Sequence, residues 1–238
     1  MKLSVCMATH NGARYIAAQL ESIVKQLGEK GELVISDDSS TDTTLQIIDS
    51  FHDTRIRVLP GNTFFNPMYN LENALKNVEG DVIVLSDQDD IWLDNKLAVI
   101  RSHFEVKPSR VYTLVLDGQI IDDDGSVIAK SIFETIGSRK GLLKNLYDNT
   151  YMGCCMAFTR ELLDIALPFP NGIPMHDSWL GLLSELYGTV DFVPQKTIKY
   201  RRHAENRSFQ GFKVSQQIKW RCSLAYHLFK RWRAHSRT

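Results

Sequence analysis

An apolar run, Val82-Ile83-Val84-Leu85, ends in Ser86-Asp87-Gln88-Asp89-Asp90, so three carboxylates arrive together where a buried strand would stop. Mg²⁺ and Mn²⁺ take near-octahedral oxygen coordination from one or two carboxylates, with water and phosphate oxygens completing the shell. Asp87 and Asp89 therefore have the chemistry to hold a divalent ion. Asp89 in particular would set that ion against a departing diphosphate, whose oxygens gather charge as the bond breaks. The same acids also suit a solvated strand-to-helix loop in which Asp90 or Asp94 serves as a cap. The twelve-residue ligand pattern of a calcium-binding loop is absent here and at Asp122-Asp123-Asp124-Gly125, which reads as a hairpin turn.

Asp37-Asp38-Ser39-Ser40 closes a second apolar run, Leu33-Val34-Ile35. A carboxylate at a strand end can accept a hydrogen bond from the ring N–H of uracil or thymine, and the helix N-terminus behind it is electropositive. Helix capping draws on the same residues, although two acids and two hydroxyls exceed what one cap requires.

The elements that would position these groups follow from hydrophobic periodicity. Residues 2–7, 33–36, 56–59 and 81–85 read as strands, and 13–26, 43–51, 66–77 and 93–105 as the helices between them. Strand-to-helix units in succession imply a parallel sheet with right-handed crossovers, an α/β, nucleotide-binding-like half. Ligands of such sheets lie outside the carboxyl ends of the strands. Ala8 to Asn11, Asp37-Asp38 and Asp87 to Asp90 all fall there. After Pro108 the pattern is mixed: a strand at 111–116, a hairpin at 120–128, a strand at 152–158, helices at 160–166 and 177–187, and strands at 190–193 and 197–200.

With 238 residues, 43% of them hydrophobic, the chain has material for one sizeable core and an appendage. Cys6, Cys154, Cys155 and Cys222 match neither a CxxC pair nor zinc spacing and are expected to be unligated thiols. There is no secretory leader pattern and no apolar stretch near the ~20 residues that cross a bilayer. A cytoplasmic protein is the expectation. Net charge is zero, yet residues 201–238 carry ten Lys/Arg against one acid, Glu205. Within this tail Ile218, Cys222, Ala225, Phe229 and Trp232 recur at helical spacing among Lys219, Arg221, Lys230, Arg231 and Arg233. Such a basic amphipathic helix lies on an anionic bilayer, or packs its stripe on the body or on a second subunit. No nucleic-acid recognition fold accompanies the charge, so nucleic acid is not an expected partner.

Three blocks in this order, Val5-Cys6-Met7-Ala8-Thr9-His10-Asn11-Gly12, Ile35-Ser36-Asp37-Asp38-Ser39-Ser40-Thr41-Asp42 and Leu85-Ser86-Asp87-Gln88-Asp89-Asp90-Ile91-Trp92, resemble glycosyltransferase family 2. These are inverting sugar-nucleotide enzymes with a GT-A fold, and with later motifs the resemblance spans about residues 3–205. The Ser-Asp-Gln-Asp-Asp-Ile-Trp wording is similar to bacterial rhamnosyltransferases of surface-polysaccharide assembly. By this resemblance Ala8, His10 and Asp38 hold the base, Asp87 meets the ribose or the metal shell, and Asp89 binds the metal, Mn²⁺ or Mg²⁺. Met175-His176-Asp177-Ser178-Trp179 resembles the element that supplies the catalytic base, which points to Asp177; the alternative is that Asp177 caps the following helix. His203, in Tyr200-Arg201-Arg202-His203, lies where some members complete the metal site. Arg201 and Arg202 would grip phosphate or are ordinary surface charge. Tyr151-Met152-Gly153-Cys154-Cys155 resembles the acceptor-side strand, which puts Gly153 and His176 on that side.

The resemblance thus implies a nucleotide-binding half (1–108), an acceptor half (109–205) and a basic tail (206–238). The expected reaction is inverting, metal-dependent transfer of one sugar from a dTDP- or UDP-sugar, rhamnose being one option. The acceptor would be a glycan, lipid-linked, at the inner face of a bacterial membrane. The Gln-x-x-Arg-Trp element of processive synthases is missing, which favours single transfer. A nucleotidyltransferase would want a glycine-rich basic signature, which His10-Asn11-Gly12-Ala13-Arg14 does not supply. A binding module without activity is the third reading, and it has no evident use for Asp38, Asp87, Asp89, Asp177 and His203 together.

Overall fold

The computed structural model describes residues 1–106, 109–203 and 213–235. The expected boundaries at 108/109 and 205/206, together with Glu205, Arg207 and Arg237, involve positions outside the described residues.

Strands β1 (Leu3–Thr9), β2 (Glu32–Asp37), β3 (Ile56–Leu59) and β4 (Val82–Ser86) are parallel in the order β3-β2-β1-β4. Helices α1 (Ile16–Val24), α2 (Thr44–Asp49) and α3 (Pro67–Lys76) make the crossovers. β1, β2 and β4 are almost wholly buried, as parallel strands covered on both faces must be, which explains their unbroken apolar runs. Because β1 has β2 on one side and β4 on the other, the winding direction reverses beside it. That reversal opens a crevice at the carboxyl ends.

The sheet continues without a break into the second half. β4 is followed in space by β8 (Met156–Thr159), β6 (Tyr112–Ile121), β9 (Thr189–Arg201) and β5 (Ile91–Trp92), with β7 (Val127–Ala129) on β6. β8 runs antiparallel to β4 and β6, β9 is parallel to β6, and β5 is antiparallel to β9. The remaining helices are α4 (Lys96–Glu105), α5 (Ile132–Ile136), α6 (Leu142–Tyr147), α7 (Glu161–Ala166), α8 (His176–Tyr187) and α9 (Val214–His235). Trp92, Trp179, Tyr112, Tyr151 and Phe158 are fully buried anchors of the core. Among the described residues no helix is long and apolar enough to cross a membrane.

Several expectations shift. The helix expected from residue 93 begins at Lys96, because Ile91 and Trp92 are taken by β5. Residues 153–155 form a 3₁₀ turn instead of continuing a strand from 152. The two strands expected at 190–193 and 197–200 are one, β9, whose pairing with β6 slips at Leu116/Asp117 and Asp117/Gln119. The hairpin forms as expected, with Gly125 at φ 90° and the Asp122 carboxylate accepting from the amides of Asp124 and Ser126. All four cysteines are free.

α5 and α6 had no expectation. The first carried a readable signal, Ser131-Ile132-Phe133-Glu134, a capping-box spacing in which Ser131 Oγ accepts from the Glu134 amide at 3.1 Å. In α9, Leu224 and Leu228 are buried, and the helix rests on α6 and α8.

Candidate active site

A cleft of about 530 Å³ lies at the crevice beside β1, within the range of small-molecule pockets. Ala8, His10, Asp38, Asp87 and Asp89 line it from the first half, and Met175, His176, Tyr200 and His203 from the second.

At one end Asp38 is buried, and its carboxylate accepts from the amides of Phe64 (2.6 Å) and Asn66 (3.2 Å), while its own amide donates to the Thr9 carbonyl (2.9 Å). Asp38 thus ties the β2 end to β1 and to the loop before α3, and its oxygens retain lone pairs for a ligand N–H. His10 Nδ1 lies 2.7 Å from the Asp38 carbonyl, which makes it the protonated ring nitrogen. Gln88 accepts from the His10 amide (3.0 Å) and donates to its carbonyl (3.1 Å), so it clamps the first and third blocks together. Asp37 is structural: its carboxylate takes Thr9 Oγ1 (2.9 Å) and the Ser40 amide (2.9 Å). Two lining residues carry no motif that would have announced them. Phe65 is 75% exposed at positive φ, 48°. Asn70 is buried, gives Nδ2 to the Thr9 carbonyl at 3.0 Å, and keeps an Oδ1 without a partner among the described residues.

At the other end Asp89 Oδ2 and His203 Nε2 are 2.7 Å apart. Their meeting follows from strand pairing. Ile91 faces Lys199 across the β5–β9 ladder, and the Arg201 amide donates to Asp90 Oδ1 at 2.9 Å, so residues 200–203 run back past 89–90. Tyr15 stacks on the His203 ring at 5.0 Å, and its hydroxyl donates to Asp123 at the hairpin tip. That stack orients the imidazole and was not legible from spacing. Arg201 corrects an expectation. It is buried and so is no ordinary surface charge: its guanidinium holds the backbone carbonyls of Asp89 (3.0 Å), Asp122 (3.2 Å) and Asp123 (2.7 Å) and braces the site. Arg202, the next residue, is exposed.

Next to this pair the cleft-lining Asp87 adjoins the buried Asp90 and Lys96. Burial, and then the charges of Asp89 and Asp177, push Asp87 up to about 7. Asp90 is held well above the carboxylate range by burial and then by Asp89 and Asp87, and its Oδ2 has no partner among the described residues. Lys96 is fully buried, donates to the Cys154 carbonyl at 2.6 Å, and lies 4.3 Å from the Trp92 ring centroid. Asp87, Asp90 and Cys154 also offer ligating atoms within 4.8 Å of one another, but Lys96 already supplies a cation there. The set on the cleft side, two carboxylates and an imidazole, fits Mn²⁺ or Mg²⁺. Lys96→Met is expected to destabilise the fold by about 1–3 kcal/mol, since it leaves the buried Cys154 carbonyl without its donor and removes the cation beside Asp87 and Asp90. Urea unfolding checks this, and an unchanged midpoint would mean that Lys96 balances nothing.

The far wall is built at the start of α8. His176 is buried, its Nδ1 is without a partner among the described residues, and burial depresses it to about 4, so the ring is neutral at pH 7. Gly153 is what admits it, because a Cβ there would stand 2.5 Å from His176 Nε2. The close neighbour of this glycine is thus an imidazole. Gly153→Ala is expected to displace the ring and lower kcat about 10- to 100-fold, with a stability loss of about 1–3 kcal/mol. Initial rates and melting temperatures separate the two effects. Asp177 lies in the first turn and is not the cap, since α8 starts one residue earlier with Met175 as its N-cap. It does not itself line the cleft but follows two residues that do. Burial pushes it up to about 7, against the pull of the Ser178 amide on Oδ1 at 2.5 Å.

Residues 4–165 match glycosyl transferase family 2. Among curated proteins the chain is similar to the UDP-Glc:alpha-D-GlcNAc-diphosphoundecaprenol beta-1,3-glucosyltransferase WfgD of Escherichia coli. The identity is 26% over 185 residues, 77% of this chain and 70% of that one. It is 41% identical over 98 residues to the dTDP-rhamnosyl transferase RfbG of Shigella flexneri, 38% of this chain and 34% of that one. Among solved structures it superposes on Staphylococcus aureus TarS 1–349 in complex with UDP-GlcNAc with a TM-score of 0.70 at 22% identity, over 90% of this chain and 62% of that one. It also superposes on the mannosyltransferase PcManGT of Pyrobaculum calidifontis in complex with GDP-Man and Mn²⁺, with a TM-score of 0.62 at 17% identity, over 98% and 75%. The chain thus spans about a third of RfbG and about three fifths of the TarS fragment. A family match over more than half the sequence, on a mixed sheet that carries its acids at one cleft, means that the chain belongs to glycosyl transferase family 2 and is a glycosyltransferase of GT-A fold.

Proposed function

We propose that the protein moves a single sugar, with inversion, from a dTDP- or UDP-activated donor to a hydroxyl of a lipid-linked glycan in bacterial surface-polysaccharide synthesis. The observation that carries this reading is the convergence on one cleft of Asp38, the Asp89–His203 pair and the Met175–His176 wall that precedes Asp177. Rhamnose is proposed as the sugar on the likeness to RfbG, and a diphosphate-lipid acceptor on the likeness to WfgD.

In this reading Ala8, His10 and Asp38 hold the base, with Oδ1 of Asn70 and the exposed ring of Phe65 beside them. Asp89, His203 and Asp87 would hold Mn²⁺ or Mg²⁺, which when bound offsets the charge of the leaving diphosphate. Arg202, exposed beside His203, would supply the phosphate-binding cation. Asp177 takes the proton of the acceptor hydroxyl as that oxygen attacks the anomeric carbon opposite the diphosphate. Neutral His176, seated against Gly153, shapes the acceptor side. The enzyme would work as a peripheral protein on the inner face of the cell membrane.

A thermal-shift panel of UDP-, dTDP- and GDP-sugars with Mn²⁺ or Mg²⁺ tests the reading. A donor at a hundred times its Kd raises apparent stability by about 2.7 kcal/mol. A uridine or thymidine donor is expected to give the shift, and failure of every nucleotide would leave a binding or scaffold role. Release of pyrophosphate from a nucleoside triphosphate and a sugar phosphate would point to nucleotidyl transfer instead.

A further inference from the structure

We propose that α6 and α9 together form one docking surface for an anionic lipid bilayer. The inference rests on the reading above for its choice of a lipid partner, and on the following geometry for the surface itself.

α9 has two apolar faces. Leu224 and Leu228 are buried against the body, where Arg231 also donates to the Pro168 carbonyl at 2.7 Å. The other stripe, Ile218, Cys222, Ala225, Phe229 and Trp232, points elsewhere, with Ile218 52%, Phe229 54% and Trp232 47% exposed. The short helix α6 extends this stripe. Arg221 joins the two, donating to the Tyr147 carbonyl at 2.8 Å with its guanidinium 4.2 Å from the Tyr147 ring centroid. Leu143 and Tyr147 are 77% and 69% exposed. Isolated exposed apolar side chains are ordinary, but a run of them along two joined helices marks an interaction surface.

Charge selects the partner. Lys144, Lys219, Lys230 and Arg233 are exposed on the same helices, and α9 contains no Asp or Glu. Aromatic and aliphatic side chains flanked by cations match the boundary between acyl chains and anionic headgroups, and this arrangement is unsuited to a basic or neutral protein face. The surface is tied to the acceptor side of the cleft. The inner face of α9 packs on residues 168–172, which lead to Met175 and His176, and Ser223 Oγ stands 3.3 Å from where a Gly172 side chain would begin. Docking there would hold the acceptor wall near the lipid that carries the acceptor.

The test uses the whole chain and vesicles of phosphatidylcholine with or without phosphatidylglycerol. An environment-sensitive dye on Cys222, the one exposed thiol among the described residues, reports contact. Binding and a blue shift are expected only with phosphatidylglycerol and are expected to fade at high salt. A Lys219→Gln, Lys230→Gln, Arg233→Gln triple variant is expected to bind about a hundredfold more weakly. Leu143→Ser with Phe229→Ser is expected to abolish the dye shift. Donor-induced stabilisation should be unchanged in both, which keeps this proposal separate from the sugar chemistry. Absence of binding to anionic vesicles overturns the surface and leaves the transferase reading standing. So does a concentration-dependent dimer in sedimentation that Phe229→Ser dissolves, since a second copy would then be the occupant.

Discussion

Asp89→Ala is expected to lower kcat by at least about a thousandfold, close to 4 kcal/mol of transition-state stabilisation. The fold should not suffer. Asp89 sits among acids, and its charge helps push Asp87 and Asp90 upward, so its removal relieves repulsion. The melting temperature is therefore expected to hold or rise while turnover collapses. His203→Ala should weaken binding of Mn²⁺ in the presence of nucleoside diphosphate about 10- to 100-fold, measured by calorimetry, because it removes the imidazole 2.7 Å from Asp89. The double variant should be scarcely worse than Asp89→Ala alone, as expected of residues that act as a unit. Full additivity of the two losses would mean that they serve separate steps. A melting temperature that falls with the activity would make Asp89 a structural acid.

Asp177→Asn is expected to keep donor binding and lose about 10²- to 10⁴-fold in turnover, the range of one general base. The wild-type pH profile supplies the second readout. Burial pushes Asp177 up to about 7, so the carboxylate is the minor form in mild acid, and kcat/KM should climb with pH and level off above about 7. In the Asn variant the part of that limb due to Asp177 should vanish, leaving the shallower rise that Asp87, also pushed up to about 7, supplies. The same shift affects stability. A free aspartate loses its proton near 3.8 and the folded one near 7, so between those values the folded state holds the extra proton. Asp177 therefore lowers stability progressively as pH rises from about 4 to about 7, with no further change above. The Asn variant should lack this slope, which denaturation at a series of pH values would reveal. An Asn variant that turns over at the wild-type rate with its true acceptor would remove Asp177 from the role of base.

These two residues were both readable in the chain, for different reasons. Asp87 and Asp89 stand out because a buried strand announces itself by its own composition and the acids follow at once. Asp38 follows β2 in the same way, and β1, β2 and β4 lie where their apolar runs put them. Asp177 was reachable only through resemblance to a known motif, and its immediate neighbours do not distinguish a base from a cap. The helix boundary removes the cap reading. α8 begins at His176, which leaves Asp177 half-buried inside the first turn.

Arg201 and Gly153 show where reading along the chain loses its grip. An arginine in a basic run looks like surface charge, yet this one faces three carbonyls that the β5–β9 pairing and the hairpin bring to it. A glycine in an apparent strand suggests close approach of a ligand, yet the atom that needs the space is His176 Nε2. Lys96 opens α4, and its burial against Asp87, Asp90 and Cys154 depends on how that helix meets a turn more than fifty residues away.

The amino-acid sequence by itself determined the parallel half, the acids at its strand ends, the hairpin at Asp122–Gly125 and the periodic stripe of the last helix. Each of these depends on side chains within a turn or two of one another, where capping, alternation and turn chemistry operate. Tertiary structure alone decided that His203 meets Asp89, that Tyr15 stacks on that ring, that Lys96 balances the buried acids, and that α9 buries Leu224 and Leu228 while leaving the Ile218–Phe229 stripe exposed. Those outcomes depend on register between strands and on which of two apolar faces finds a partner. Such choices are settled by the free energy of packing distant segments together, to which no local pattern is sensitive.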